Sequence, residues 1–373
     1  MKNNYKICII SSQMIGFDDI GGFGSMTRQL AEALVKAGHD VSVVIPHRGK
    51  QKGREIMNGI SIYGLSIKEI LFHSRKLLAD IDADIYHSQN PNLLTYLAMR
   101  AVPDKKHVIT FRDPRDTRDW LIEIRYATWK RRFRTPFVYC FEAGPFISHA
   151  VRKADIVGCP AHFLQYKVAR MYGRKDVVLL PNLEDLPSAM PQKAKDPTVC
   201  FVGRLDCRKR PELAFKLAEK FPGVNFLIVG RAEENKRQIK LEQAAAKLKN
   251  VKMLGYVDKF KSDALQRVYG DAWILLNTSA REGLPVTFIE AAVRGCAILS
   301  TVNPDNFAID FGYYASSPND LEEGLSILIS NDNWRSKGEA GYKYSKEIYE
   351  YENALKAHLD TYNNVYAEVS VSN

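Results

Sequence analysis
Glu282 and Glu290 stand eight positions apart in the run Arg281-Glu282-Gly283-Leu284-Pro285-Val286-Thr287-Phe288-Ile289-Glu290. Pro285 fits the first position of a helix, where its missing N–H costs nothing. The free N–H groups of such a first turn form an anion site, and Glu290, one turn on, leans back toward it. Both carboxylates can then face one cleft beside a bound phosphate. An ordinary helix N-terminus with a dipole-favoured acid before it would have the same spelling.

Two glycine-containing loops carry further chemistry. Gly203-Arg204-Leu205-Asp206-Cys207-Arg208-Lys209 follows the apolar run Val199–Val202. Gly203 permits a tight turn, and an Arg fork with a Lys point charge suits a diphosphate. A solvated basic loop is the alternative reading. Gly21-Gly22-Phe23-Gly24-Ser25 precedes the helical pattern Met26–Ala37. Its glycines let backbone N–H groups approach a phosphate or a substrate hydroxyl, although the spacing is not the dinucleotide fingerprint.

These loops need strands and helices to hold them. Apolar strand candidates are Ile7–Ile10, Val41–Ile45, Ile60–Tyr63, Ile85–His87, Val108–Phe111, Ile156–Val157 and Val177–Leu180, then Val199–Val202, Phe226–Val229, Lys252–Leu254, Trp273–Leu276 and Ala297–Ser300. Amphipathic helical patterns alternate with them, which implies parallel βαβ units. Pro181, Pro187, Pro191 and Pro197 mark a linker near 182–195. The fold class expected is therefore α/β, with two Rossmann-like doubly wound parallel-sheet domains facing across a cleft. Residues 1–185 would form the first domain and 196–350 the second. The tail from Trp334 to Tyr366 reads as helical, and a C-terminal helix over 351–373 would cross back to the first domain.

Composition narrows the class. The chain has 373 residues, 46% hydrophobic and 26% charged, which is ordinary for a soluble globular protein. It holds no apolar stretch of the roughly 20 residues a membrane span needs. The N-terminus does not read as a signal peptide. Cys8, Cys140, Cys159, Cys200, Cys207 and Cys296 show no metal or redox spacing, so a reducing cytoplasm is expected. The net charge of +10 is uneven: residues 1–190 hold 28 Lys+Arg against 19 Asp+Glu, and residues 191–373 hold 25 against 24. An anionic partner is thus expected at the first half. Asp80-x-Asp82-x-Asp84 precedes a strand instead of ending one, so it reads as a solvated turn and no metal is expected.

Taken together, the loop at Phe201–Arg210 and the segment Asn277–Ser300 resemble the GT-B glycosyltransferases, in particular the retaining family-4 group with its Gly-Arg-x5-Lys-type loop and Glu-x7-Glu segment. The resemblance covers essentially the whole chain, and it implies that residues 1–185 bind the acceptor and 196–350 the nucleotide-sugar donor. It implies that Arg204 and Lys209, after Gly203, hold the diphosphate of a nucleotide-sugar donor. Glu290 would accept from the ribose, and Glu282 would contact the donor sugar beside the amides of Gly283 and Leu284. The backbone near Gly230-Arg231 and Tyr256-Val257 would meet the base, and the loop Gly21, Gly22, Gly24 would close on the acceptor side. Where the family often has a histidine touching the donor sugar, this chain has Arg112, followed by Asp113. Arg112 can donate to a hydroxyl or phosphate but cannot act as a base at pH 7; a surface arginine paired with Asp113 or Asp116 is the alternative. In the front-face scheme for the group, the leaving phosphate takes the acceptor's proton, so no side-chain base is required. Glu282, Arg112 and Asp113 are the catalytic candidates, and Asp18 and Asp19 are spare carboxylates without a role.

The expected activity is metal-independent, cofactor-free, retaining transfer from a nucleotide-sugar to a glycan or polyprenyl-diphosphate (lipid-linked) acceptor, in cell-surface polysaccharide or glycoconjugate synthesis. UDP-sugars are favoured, with GDP-mannose second. In residues 121–134, five basic side chains mix with Leu121, Ile122, Ile124, Tyr126, Trp129 and Phe133. Such a segment suits an anionic membrane surface on the inner face. The alternative is a helix that buries Ile124, Trp129 and Phe133. Two competing functions are a GT-B sugar-nucleotide epimerase, which lacks identifiable acid/base pairs here, and a nucleic-acid-binding protein, for which no recognised motif exists.

Overall fold
The computed structural model describes residues 4–17, 21–47, 49–51 and 53–367, with the side chains of 130, 131, 137 and 367 excepted. Asp18 and Asp19 lie outside the described residues. The chain forms two compact units. One runs up to Trp120, resumes over Thr128–Leu183 and takes the chain from Tyr351 on; the other comprises Leu121–Ala127 and Glu184–Glu350.

In the first unit the strands are β1 Lys6–Ser11, β2 Asp40–Pro46, β3 Arg54–Met57, β4 Ile60–Leu65, β5 Ile85–Gln89, β6 Lys106–Thr110, β7 Ile156–Cys159 and β8 Val177–Leu179. They form one sheet in the order β3-β4-β2-β1-β5-β6-β7-β8, parallel except for the edge pair β3–β4. The centre of β1, Ile7 to Ile10, is continuously apolar because both faces are covered. One face packs Ile7, Ile9, Leu30, Leu34 and Tyr362, and the other Cys8, Ile10, Leu78, Tyr86 and Leu94. The helix Tyr351–Ala367 contributes Ala354, Leu355, Tyr362 and Val365 to the first of these cores.

The second unit holds β9 Thr198–Val202, β10 Asn225–Val229, β11 Val251–Gly255, β12 Ile274–Asn277, β13 Ala297–Ser300 and β14 Gly312–Tyr314. These are all parallel, in the order β11-β10-β9-β12-β13-β14. In each sheet the strand order reverses once, between β1 and β5 and between β9 and β12. Open α/β sheets bind ligands outside the carboxyl ends of strands at that reversal.

Each strand candidate corresponds to an observed strand, with ends moved by a few residues. The sequence reading lacks β3 and β14: β3 is a half-exposed antiparallel edge, and β14 has three residues, too few to show a period. The first helix runs from Gly22 to Lys36, so Gly22 and Gly24 lie in its first turn and not in a loop before it. Glycine's poor helix propensity hides this start; packing fixes it, since a Cβ on Gly24 would lie 3.0 Å from the backbone nitrogen of Ile15. Pro285 is the cap of the helix Val286–Ala292, with an extended ψ of 123°, and not its first residue. The helical tail is two helices, Asn333–Tyr349 and Tyr351–Ala367, broken at Glu350.

Candidate active site
Gly203 follows β9 at φ 152°, and its N–H donates to Val229 O at 3.0 Å. Gly230, at φ 137° after β10, lies so close that a Cβ there would fall 1.8 Å from Gly203 O. Only glycine allows so close an approach of these two strand ends. Arg210 then anchors the loop: its Nε donates to Thr278 O at 2.6 Å and its Nη2 to Thr301 Oγ1 at 2.8 Å. Thr278 Oγ1 donates back to Lys209 O at 2.6 Å. The loop after β9 is thereby fixed to the segment after β12, at the reversal of strand order.

This staple brings Lys209 Nζ onto Glu282 Oε1 in a close ion pair. Burial pushes the Glu282 carboxyl up, but Lys209 and Arg208 outweigh it and hold the group below the usual glutamate range. Arg204 is partly exposed and pairs with Asp206 at 3.0 Å. Arg208 and Arg281 both reach Glu123, at 3.0 and 3.2 Å. Gly283 and Leu284 are buried beside Glu282. The helix Val286–Ala292 has neither a side-chain cap nor an acid in its first turn. Tyr256 and Val257 follow Gly255 at the end of β11, and Tyr256 is half-exposed.

Glu290 has a different set of neighbours from Glu282. Its Oε1 accepts from Lys259 Nζ at 2.7 Å and its Oε2 from Tyr269 Oη at 2.8 Å. Burial raises the Glu290 carboxyl, and Lys259 more than reverses this, holding it below the usual range. The Lys259 ammonium is pulled down by burial and pushed up further by Glu290 and Glu184. Sequence reasoning missed Lys259, Tyr269 and Glu184. Lys259 lies two positions beyond Val257, where the expected base contacts end, and Glu184 lies in what reads as linker.

In the first unit Gly21 caps the helix Gly22–Lys36, which has no side-chain cap and no acid in its first turn. Arg112 follows β6 and is 4% exposed. Its Nε donates to Gln89 Oε1 at 2.7 Å, Nη2 also meets that oxygen, and Nη1 donates to Asn182 Oδ1 and contacts Met26 Sδ at 3.3 Å. The alternative of a surface arginine paired with Asp113 or Asp116 is therefore wrong. Asp113 pairs with Arg115 at 3.2 Å, and Asp116 with Arg170 at 3.3 Å. The packing of β1, β5 and β6 draws the guanidinium inward among neutral acceptors. Burial lowers Arg112 to about 10, which leaves it protonated at neutral pH.

The segment 121–134 is divided between two helices, Thr117–Tyr126 and Trp129–Ala143. The alternative in which its apolar residues are buried fails: Trp129 is 72% exposed and Phe133 62%, with Leu121 and Ile124 also exposed. No helix among the described residues is long and apolar enough to cross a membrane. Asp82 pairs with Lys105 at 2.7 Å and Asp84 accepts from Lys6 N at 2.8 Å, so the Asp-x-Asp run is engaged structurally. No group of three or more His, Cys, Asp and Glu residues suited to a metal occurs among the described residues.

Comparison with known proteins places the chain in a family. The family model Glycosyltransferase Family 4 matches residues 20–186, and Glycosyl transferases group 1 matches residues 182–309. One subunit of the human phosphatidylinositol N-acetylglucosaminyltransferase is 24% identical over 87% of this chain and 68% of its own. The phosphatidyl-myo-inositol mannosyltransferase of Mycolicibacterium smegmatis is 25% identical over 76% of this chain and 73% of its own. Among solved structures, sucrose-phosphate synthase from Thermosynechococcus elongatus superposes with a TM-score of 0.76 at 17% identity, covering 98% of this chain and all of that one. Anabaena HepE in complex with UDP and glucose gives 0.69 at 13% identity, over 96% and 99%. The chain belongs to the GT-B glycosyltransferases of the family-4, group 1 type.

Proposed function
We propose that this glycosyltransferase moves a sugar from a nucleotide-diphosphate donor, UDP-linked in preference to GDP-mannose, onto a glycan or lipid-linked acceptor with retention of anomeric configuration and without a metal. Cell-surface polysaccharide or glycoconjugate synthesis is the setting. The observation that carries this reading is the Lys209–Glu282 pair with Arg204 nearby, fixed where the strand order reverses between β9 and β12. Lys209 and Arg204 take the diphosphate as charge-assisted donors, which replaces the neutralisation a divalent ion would supply. Glu282 and the amides of Gly283 and Leu284 hold the sugar, Glu290 the ribose, and the backbone at Tyr256 and Val257 the base.

In the transfer itself the bond from the sugar's C1 to the diphosphate oxygen breaks. A bond from C1 to the acceptor oxygen forms on the same face, and the acceptor's proton passes to the departing phosphate. The protein's part is positioning and stabilisation of the developing charge. Arg112 holds its proton and serves as a donor, with Asp113 and the Gly21, Gly22, Gly24 turn on the acceptor side. A lipid-linked acceptor is favoured because two relatives are named for phosphatidylinositol substrates, and UDP because HepE was solved with it. Exposed Trp129, Phe133, Tyr139 and Phe141 on one basic helix suit a peripheral site on the cytoplasmic face of an anionic membrane.

A thermal-shift panel of UDP, GDP, ADP and their sugars in excess chelator tests the donor side. A nucleotide at 100 times its dissociation constant raises stability by about 2.7 kcal/mol. A panel in which no nucleotide moves the melt refutes the donor site; a shift that appears only with added divalent metal refutes metal independence.

A further inference from the structure
Lys259 lies between two buried carboxylates and satisfies only one. Its Nζ is 2.7 Å from Glu290 Oε1 and 3.6 Å from Glu184 Oε2. Glu184 is 5% exposed, its Oε1 accepts from Arg294 Nη1 at 3.2 Å, and its Oε2 is buried with no hydrogen-bond partner. Arg294 also donates to Glu290 O at 2.9 Å, so it ties Glu184 to the helix that carries Glu290. Glu184 is fixed at its main chain as well, donating its N–H to Tyr349 O at 2.9 Å and bridging to Glu350. A buried carboxylate oxygen without a donor is unfavourable, yet a small swing of one ammonium would supply it.

We propose that Glu184 and Lys259 are positioning residues for nucleotide recognition, forming a two-position ion pair in which ribose hydroxyls that donate to Glu290 release Lys259 to Glu184. The proposal rests on the reading of Glu290 as the ribose acceptor. The hydroxyls and the ammonium compete for the same oxygen of Glu290. Glu184 Oε2 keeps the displaced ammonium paired, so the ribose does not strand a buried cation. Tyr269 stays on Glu290 Oε2 throughout and holds the carboxylate in place.

Calorimetric titration of UDP and of 2′,3′-dideoxy-UDP into the wild type and Glu184→Gln tests this. Removal of the reserve carboxylate weakens UDP about tenfold and leaves the dideoxy nucleotide unchanged. Equal weakening of both nucleotides, or of neither, overturns the proposal. If Glu184→Gln does not fold, Glu184→Asp keeps the charge but withdraws the carboxylate. The same selectivity for UDP over its dideoxy analogue is then expected, with a smaller factor, and its absence overturns the proposal. A wild type that binds both nucleotides equally overturns the ribose reading of Glu290 itself, whatever Glu184→Gln does.

Discussion
Lys209 and Glu282 neutralise each other at the strand-order reversal, whereas Glu290 is neutralised by a lysine from a different loop. Two glutamates on one short segment thus have separate electrostatic surroundings, which supports the separate tasks proposed for them. Glu290→Ala removes the proposed ribose acceptor and is expected to weaken UDP by about 1.5–3 kcal/mol. Glu282→Ala lowers turnover and changes affinity for free UDP little, because free UDP carries no sugar. Titration and steady-state rates on both variants check this division, and an equal loss of UDP affinity contradicts it. The residue types were legible from the sequence: Arg204 and Lys209 lie in the loop after β9, Glu282 in the segment after β12, and Glu290 in the helix that this segment opens. Their partners were not. Lys259 and Glu184 are distant from Glu290 in the chain, and only the fold makes them neighbours. Arg112 shows the same limit, since its neighbouring acids gave no sign that Gln89 and Asn182 would receive it.

Two helices carry consequences of their own. The helix Tyr351–Ala367 places His358 and Tyr362 beside His87; His87 Nδ1 lies 2.6 Å from Tyr362 Oη and its Nε2 2.7 Å from Thr110 Oγ1. Burial pulls His358 from 6.5 to about 4 and His87 well below its ordinary value. Below pH 6.5 the unfolded chain takes up protons at both while the folded chain does not. Their contribution is therefore complete above pH 6.5 and is lost as pH falls toward 4, at ~1.4 kcal/mol per pH unit per histidine. Urea titrations over this range check the sign, and His358→Gln reduces the slope by one histidine's share; an unaltered slope contradicts it. The helix Trp129–Ala143 leads to flotation with anionic vesicles at low salt, expected for the wild type and lost in Trp129→Ser/Phe133→Ser. Wild-type protein that stays unbound refutes membrane docking. The sequence identified the mixed basic and apolar character of this region but not its break at 127–128. Helical periodicity continues through that break.

At the scale of the molecule, two parallel sheets were legible because fully buried strands read as short continuous apolar runs. The parallel strands of each sheet reverse order once, and in the second sheet the loop after β9 and the segment after β12 follow the two strands that flank the reversal. What periodicity did not show were the elements that packing decides, among them the half-exposed edge β3, the three-residue β14 and the glycine-started helix at Gly22. The second unit brings together the loop after β9, the segment after β12 and the end of β11. The central claim is that this unit holds a nucleotide diphosphate through Lys209 without metal. The most direct measurement is calorimetric titration of UDP and of uridine, in chelator, into the wild type and Lys209→Met. Loss of the ammonium is expected to weaken UDP by about 1.5–3 kcal/mol and to leave uridine unaffected. Equal affinity of both proteins for UDP, or no binding of UDP to the wild type, would contradict the claim.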